Sequence, residues 1–424
     1  MNAHRTARTV SLLLVAAVQG AAAQAQTPSE VYERFADAVV KVEVVERNSD
    51  APTSVGTAFF VTPNLVATNY HVVRDLLFEE DVYRPRLLDH EGAEVPFVAL
   101  VALDVANDLA LLRVDADLDR PLQLIDEPVP NGEVLYSMGH PRDLSTAVVE
   151  GVYNGLVEAA IAPRMHFSGS INPGMSGGPT VRADGTVVGV NVATAGNQVS
   201  FLIPADRVAA VLTDAMSADV PTREALLDDA NERLTAFQND FFGATLGGDF
   251  ATLDLGRATL PAPPEGLLQC EAIPYDIEDD RYELTEYACA AEDGMLLGSV
   301  GSYDLVYLEH MWMSAGSLTT FAFHALLNEW YTTIFGWEAP ANEDATEYSC
   351  RERNVADGLD AELVATVCLR RLDTHSELYD LFVRSVLMGG EGEGVVSTLR
   401  AAPIAFEHVT GLTEGWLRGF SWSN

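Results

Sequence analysis

Asn172-Pro173-Gly174-Met175-Ser176-Gly177-Gly178-Pro179 crowds three glycines and two prolines around one serine. Glycine reaches backbone conformations closed to other residues, so this stretch can turn its N–H groups toward a common point beside the serine hydroxyl. Outward from it, Val39 to Pro204 repeats one theme, short β-branched or alternating runs broken by Gly, Pro, Asn and Asp. VVKVEVVE (39–46), GTAFFVT (56–62), LVATNYHVV (65–73), VPFVALVALD (95–104), LALLRVD (109–115), VLYSMG (134–139), VVEGVYNGLV (148–157), TVVGVNVAT (186–194) and VSFLIP (199–204) read as strands. So many short strands with few helical windows predict an all-β unit, either closed antiparallel barrels or a sandwich.

Two further segments carry chemistry that the serine needs. Thr68-Asn69-Tyr70-His71 ends a buried strand with an imidazole, and Asn107-Asp108 sets a carboxylate directly before the apolar Leu109–Val114 run. Alone, the histidine reads as structural and the aspartate as a loop or cap residue. With Ser176 they supply a base, its orienter and a nucleophile in the order His, Asp, Ser. Ser176 Oγ is a weak nucleophile until His71 takes its proton, and Asp108 would fix the imidazole tautomer and stabilise the imidazolium. His140 and His166 lack such a context and read as structural or solvated.

At these residues the chain resembles the trypsin-like serine endopeptidases, and within them the bacterial high-temperature-requirement (HtrA/Deg) family, over about residues 30–210. Gly174-Met175-Ser176-Gly177-Gly178-Pro179 is the most specific part. Gly139-His140-Pro141 is similar to the family's G-N-P turn and Phe201-Leu202-Ile203-Pro204 to its F-A-I-P strand. The resemblance implies two antiparallel six-stranded β-barrels and a Ser-His-Asp endopeptidase that acts on proteins or peptides through an acyl-enzyme, with no cofactor and no metal. It makes Asp108 the orienter over its rival Asp104, assigns the oxyanion hole to the N–H groups of Gly174 and Ser176, and lines the specificity pocket with Ile171, Thr194 and Val199. No carboxylate sits among those three, so a small or medium apolar P1 residue is expected and Lys or Arg disfavoured. The chain departs from the family at Met175: digestive relatives carry an Asp there that pairs with a newly cut N-terminus, and HtrA members usually carry Asn. The loop from Thr194 to Ser200 is also shorter than its family counterpart.

The chain has 424 residues, 48% hydrophobic and 21% charged, enough to bury two or three cores. Its 25 Lys plus Arg against 63 Asp plus Glu give a net charge of −38, a field that repels phosphate backbones and anionic headgroups. Nucleic acid is therefore not expected as a partner. Arg5 and Arg8, the apolar run Val10 to Val18 and the small residues Ala21 to Ala25 read as a signal peptide over 1–25, its apolar run too short to span a bilayer. With no later run of 18 apolar residues, no stable membrane insertion is expected, and the product should be periplasmic or secreted.

Cys270, Cys289, Cys350 and Cys368 lie in the second half, none in a C-x-x-C pair, so disulfides rather than a zinc site are expected in an exported protein. Landmarks recur at about 80 residues: Cys270 and Cys350, Cys289 and Cys368, Tyr303-Asp304-Leu305 and Tyr379-Asp380-Leu381, Gly336-Trp337 and Gly415-Trp416. They read as two copies of one unit, 266–342 and 346–424, and favour the local pairings Cys270 with Cys289 and Cys350 with Cys368. The other reading is chance likeness within a single α+β domain. The expected organisation is a signal peptide, a protease domain over 30–210, a helical and Gly/Pro-rich linker over 211–265, and a disulfide-containing α+β domain over 266–424, where no stretch resembles a PDZ module. An exported serine endopeptidase is the expected function. The alternative is a catalytically silent protease-fold binding protein whose C-terminal domain holds the ligand.

Overall fold

A computed structural model describes residues 27–125, 127–141, 144–157, 162–196, 198–216, 220–245, 250–275, 281–290, 295–296, 302–303, 305–333, 345–355, 361–372, 377–390 and 392–423. The expected signal peptide, Asp304 and Gly336-Trp337 lie outside the described residues. The first strands are β1 (Val39–Glu46), β2 (Pro52–Thr62), β3 (Leu65–Thr68), β4 (Tyr83–Leu88), β5 (Glu94–Val95), β6 (Phe97–Asp104) and β7 (Leu109–Val114). In β7, Leu109 and Leu111 enter one core while Ala110, Leu112 and Val114 enter another. Successive side chains of a strand point to opposite faces, so a strand buried on both sides shows an unbroken apolar run.

These strands form one antiparallel sheet in the order β5-β4-β1-β2-β3-β7-β6. A closed six-stranded barrel was the expectation for this half, and the structure has instead a seven-stranded half-barrel. Its two edge strands, β5 and β6, are separated by Pro96 alone, and β5 pairs with β4 while β6 pairs with β7. Proline lacks the N–H that a ladder needs, so pairing breaks there and the strand bends from one edge to the other.

The second half closes fully. β8 (Val134–Gly139), β9 (Ala147–Leu156), β10 (Met165–Phe167), β11 (Pro179–Val181), β12 (Val187–Gly196) and β13 (Val199–Pro204) form a six-stranded barrel in the order β10-β13-β12-β11-β8-β9, sealed by pairing of β9 with β10. Leu135, Phe167, Ile171, Met175, Val188 and Leu202 fill it. A separate core joins the halves: Val39, Phe59 and Leu111 meet Tyr136, Met138, Val190 and Ile203, covered by Val208 and Val211 of a helix at Ala205–Ala215. The serine loop of the second half meets the first half beside this core, where the Thr57 N–H donates to the Ser176 carbonyl at 2.8 Å.

Past residue 215 the chain is more structured than a linker. A helix at Arg223–Gln238, capped by the Thr222 hydroxyl, buries Leu226, Ala230 and Leu234 at the four-residue spacing of one helix face. Ala251–Leu255 and Ala258–Ala262 form a hairpin that also pairs with Ser421–Trp422. The C-terminal half is a seven-stranded antiparallel sheet, with a helix at Thr320–Thr332 over one core and a helix at Phe406–Arg418 over another. Its outermost hairpins carry the disulfides, Cys270 bonded to Cys289 and Cys350 to Cys368.

Candidate active site

β3 delivers the histidine. Its last residue, Thr68, donates its hydroxyl to the Thr57 carbonyl at 2.7 Å, and the chain then turns through Asn69 into the short helix Tyr70–Val73 that carries His71. Asp108 ends a tight turn whose N–H reaches back to the Val105 carbonyl at 3.2 Å. Its φ is +60°, a left-handed conformation that short polar side chains tolerate better than most. The Asp108 carbonyl accepts the Tyr70 N–H at 3.2 Å and Asn69 Nδ2 at 3.0 Å. Its carboxylate takes His71 twice, accepting the backbone N–H on Oδ1 at 2.9 Å and Nδ1–H on Oδ2 at 2.7 Å.

Asp104 does different work. It is buried, and its carboxylate accepts the Asn107 N–H at 3.0 Å and Asn107 Nδ2 at 2.8 Å, shaping the turn that presents Asp108. Burial alone would depress the His71 pKa, but the charge and hydrogen bond of Asp108 outweigh it, Arg74 pulls weakly downward, and the net shift is upward.

The serine loop consists of two successive turns. Met175 N–H bonds the Asn172 carbonyl at 3.0 Å and Gly178 N–H bonds the Met175 carbonyl at 3.0 Å, with Gly174 and Gly177 at the third position of each, φ +95° and +82°. That positive φ is what type II turns require there, and it accounts for the three-residue spacing of these glycines. A side chain at Gly177 would lie 2.3 Å from Thr68 Oγ1 and 2.9 Å from the Asn69 nitrogen, so the loop rests on the strand end that delivers His71. The N–H groups of Met175, Gly177 and Gly178 are bonded to carbonyls; those of Gly174 and Ser176 have no partner among the described residues. Ser176 Oγ donates to the Val192 carbonyl at 3.3 Å.

The structure thus joins His71 directly to Asp108 and seats the Ser176 loop against their strand. Of the three pocket residues, Ile171 is buried with its N–H on Ser200 Oγ at 3.2 Å, and Val199 is half-buried on β13. Thr194 lies on β12, its side chain outside the described ones. His140 is buried, bonded through its N–H to Thr57 Oγ1 at 3.0 Å and paired with Thr146, a structural role.

Two residues that sequence reasoning missed tie the loop down. Thr57 N–H donates to the Ser176 carbonyl at 2.8 Å and its hydroxyl to the Gly174 carbonyl at 2.7 Å. Asn191 meets the loop from the other barrel. The signal for it was a lone amide inside the apolar run TVVGVNVAT, since a buried polar group must find partners. Among the described residues no group of three or more His, Cys, Asp or Glu could hold a metal ion.

Residues 56–190 match the family model of the trypsin-like peptidase domain. A serine protease HTR4 of Rattus norvegicus is 30% identical over 200 residues, covering 43% of this chain and 39% of the relative. The mitochondrial serine protease HTRA2 of Bos taurus is 31% identical over 196 residues, 42% of this chain and 41% of the relative. A solved serine endoprotease from Yersinia pestis is 24% identical and covers 45% of this chain and 67% of its own, with a TM-score of 0.39. The chain thus spans about two fifths of the length of the curated relatives it matches.

Proposed function

From the premise that this chain carries a trypsin-like peptidase domain related to the HtrA serine proteases, we propose that it is a serine endopeptidase working through Ser176, His71 and Asp108. The observation that carries the assignment is the double hold of Asp108 on His71. It leaves Nε2 as the basic nitrogen and stabilises the imidazolium once the Ser176 proton arrives. Attack on a peptide carbonyl would give a tetrahedral oxyanion facing the N–H groups of Gly174 and Ser176, which have no partner among the described residues. Collapse would expel the amine, protonated by His71, and leave an acyl-Ser176 for water to cleave by the reverse proton path.

Ile171, Thr194 and Val199 are the proposed walls of the P1 subsite. They carry no charge, so peptides with Val, Ala, Leu or Ile at P1 should be cut in preference to those with Lys or Arg. The proposed setting is outside the cytoplasm, on protein substrates of the cell envelope, and the two disulfides support it. No helix among the described residues is long and apolar enough to cross a membrane. The recurrence of a disulfide-pinned hairpin at both edges of the C-terminal sheet supports an internal duplication. That half is the proposed recognition or regulatory part.

One observation favours the silent binding protein, the bond from Ser176 Oγ to the Val192 carbonyl instead of to His71. Catalytic hydrogen bonds are often loose without substrate and tighten in the complex, so the enzyme reading stands ahead of it. Incubation with a fluorophosphonate probe, wild type beside Ser176→Ala, decides between them. Labelling of the wild type alone supports the enzyme; labelling that never arises, or that survives the substitution, removes Ser176 as nucleophile.

A further inference from the structure

We propose that Asn191 is a positioning residue for catalysis, holding the Met175–Ser176 peptide so that the Ser176 N–H faces the reacting carbonyl oxygen. The inference rests on the peptidase reading above and adds a residue to it. Asn191 sits on β12, fully buried, and its amide uses all four of its hydrogen-bonding capacities. Oδ1 accepts the Ser137 hydroxyl at 2.8 Å and the Thr180 hydroxyl at 2.7 Å. Nδ2 donates to the Met138 carbonyl at 3.0 Å and the Met175 carbonyl at 3.1 Å. The orientation is unambiguous, since a flipped amide would set its oxygen against two carbonyls.

The bond to Met175 matters for chemistry because a peptide unit is planar and trans. Its C=O and the following N–H point in opposite directions. With the Met175 carbonyl drawn inward to Asn191, the Ser176 N–H is directed away from the barrel interior, where it is unpaired among the described residues. Backbone bonds hold the same carbonyl and the units that follow it: the Gly178 N–H also donates to the Met175 carbonyl at 3.0 Å, Asn191 N–H donates to the Gly178 carbonyl at 2.9 Å, and the Asn191 carbonyl accepts the Gly177 N–H at 2.9 Å. The glycine at 178 follows from this arrangement. A Cβ there would lie 3.0 Å from Asn191 Nδ2 and 2.2 Å from the Met138 carbonyl oxygen, so a side chain would evict the amide.

An oxyanion donor is effective only when it is already aimed before charge develops, and losing one costs about 100- to 1,000-fold in kcat. Asn191→Asp keeps the shape but replaces the donor facing Met175 with an acceptor, and Asn191→Ser removes the contact with little strain. Both should lower kcat on a short peptide by about 100-fold or more, leave KM within about threefold, and leave the pH midpoint set by His71 in place. Affinity for a peptide boronate, which binds as a tetrahedral adduct on Ser176, should fall in step with kcat. Ser137→Ala is the comparison, because it weakens the same buried cluster from the Oδ1 side while the Met175 bond survives; it should lower the melting temperature but keep kcat within about threefold.

Either folded variant at position 191 retaining kcat within twofold would overturn the inference, as would a loss in Ser137→Ala matching theirs at equal melting temperature. A wild-type protein that cleaves nothing and takes no probe would instead sink the peptidase reading itself, so the two failures are distinguishable.

Discussion

Asp108 grips His71 at two points, Oδ1 on the backbone N–H at 2.9 Å and Oδ2 on Nδ1 at 2.7 Å. One carboxylate therefore fixes both the turn that carries the imidazole and the orientation of its ring. Asp108→Asn keeps the shape and loses the charge, and the amide can offer Nδ1 a donor where it needs an acceptor. The expected result is a fall in kcat of about 10³- to 10⁴-fold with a modest change in KM. The pH dependence follows from the raised pKa of His71. The base must be neutral, so kcat/KM of the wild type should rise through a midpoint above the usual histidine value of about 6.5, and the Asn variant's midpoint should drop. A flat profile from pH 5 to 9 would remove His71 as the base.

How far the sequence could be read depends on whether a feature is local. The glycine spacing at 174 and 177, the carboxylate before β7 and the strand ending at His71 each express a constraint within a few residues, and each was legible. The half-barrel was not, because its strand order depends on a break at Pro96 that leaves β5 at one edge of the sheet and β6 at the other. Thr57 escaped for the same reason, since it acts on a loop 117 positions away, whereas Asn191 showed only as a lone amide whose partners the fold supplies. The helix at Arg223–Gln238 was visible, but its role was not: Leu226, Ala230 and Leu234 share one core with Tyr70 and Val73 beside His71, and with Leu372, Leu378, Ala402 and Ala405 from the C-terminal half. Only the fold reveals that shared core.

The resemblance drawn from the sequence leads one to expect a polar residue at 175, and the structure buries Met175 fully among Leu135, Phe167, Ile171 and Leu202. Apolar packing thus adds to the Thr57 and Asn191 hydrogen bonds in holding the serine loop. Met175→Leu conserves volume and should cost less than about 1.5 kcal/mol. Met175→Ala leaves a cavity and should cost about 2–5 kcal/mol, with loss of activity as the loop loosens. Chemical denaturation and peptide kinetics on the two variants check this, and equal effects would contradict the packing role.

His310 is expected to make the C-terminal half sensitive to acid. It is fully buried, stacked on Trp416 at 5.2 Å, with Nε2 donating to the Pro261 carbonyl at 2.8 Å and Nδ1 accepting from Ser397 Oγ at 2.7 Å. Burial pushes its pKa down to about 4 from an unfolded value of 6.5. Between those values the unfolded chain binds more protons, so stability is complete above pH 6.5 and declines as pH falls toward 4. The loss is on the order of 3 kcal/mol. Denaturation followed by tryptophan fluorescence should show it, since all five tryptophans lie in this half. His310→Gln should flatten the slope over that window, and an unchanged slope would exclude His310 as its source.

The last prediction separates the two disulfides from the core shared between the halves. Each disulfide pins a hairpin at an outer edge of the C-terminal sheet, whereas contact with the protease half runs through the Arg223–Gln238 helix and Leu372, Leu378, Ala402 and Ala405. Gln238 Nε2 also donates to the Pro403 carbonyl at 3.0 Å across that junction. Loops closed at sequence separations of 19 and 18 contribute on the order of 3 kcal/mol each in the chain-entropy model, so a reductant should loosen the hairpins. The protease half contains no cysteine, and cleavage of a short peptide should stay within about twofold. Cleavage of a folded protein that needs the C-terminal half for capture should fall further. Leu234→Ala acts at the other place: it removes a fully buried side chain from the core that also contains Tyr70 and Val73, at a cost of about 3 kcal/mol. It should depress short-peptide cleavage near its lowered melting temperature even with both disulfides intact. If reduction abolishes short-peptide cleavage as thoroughly as Leu234→Ala does, the edges and the shared core are one cooperative unit and the division fails.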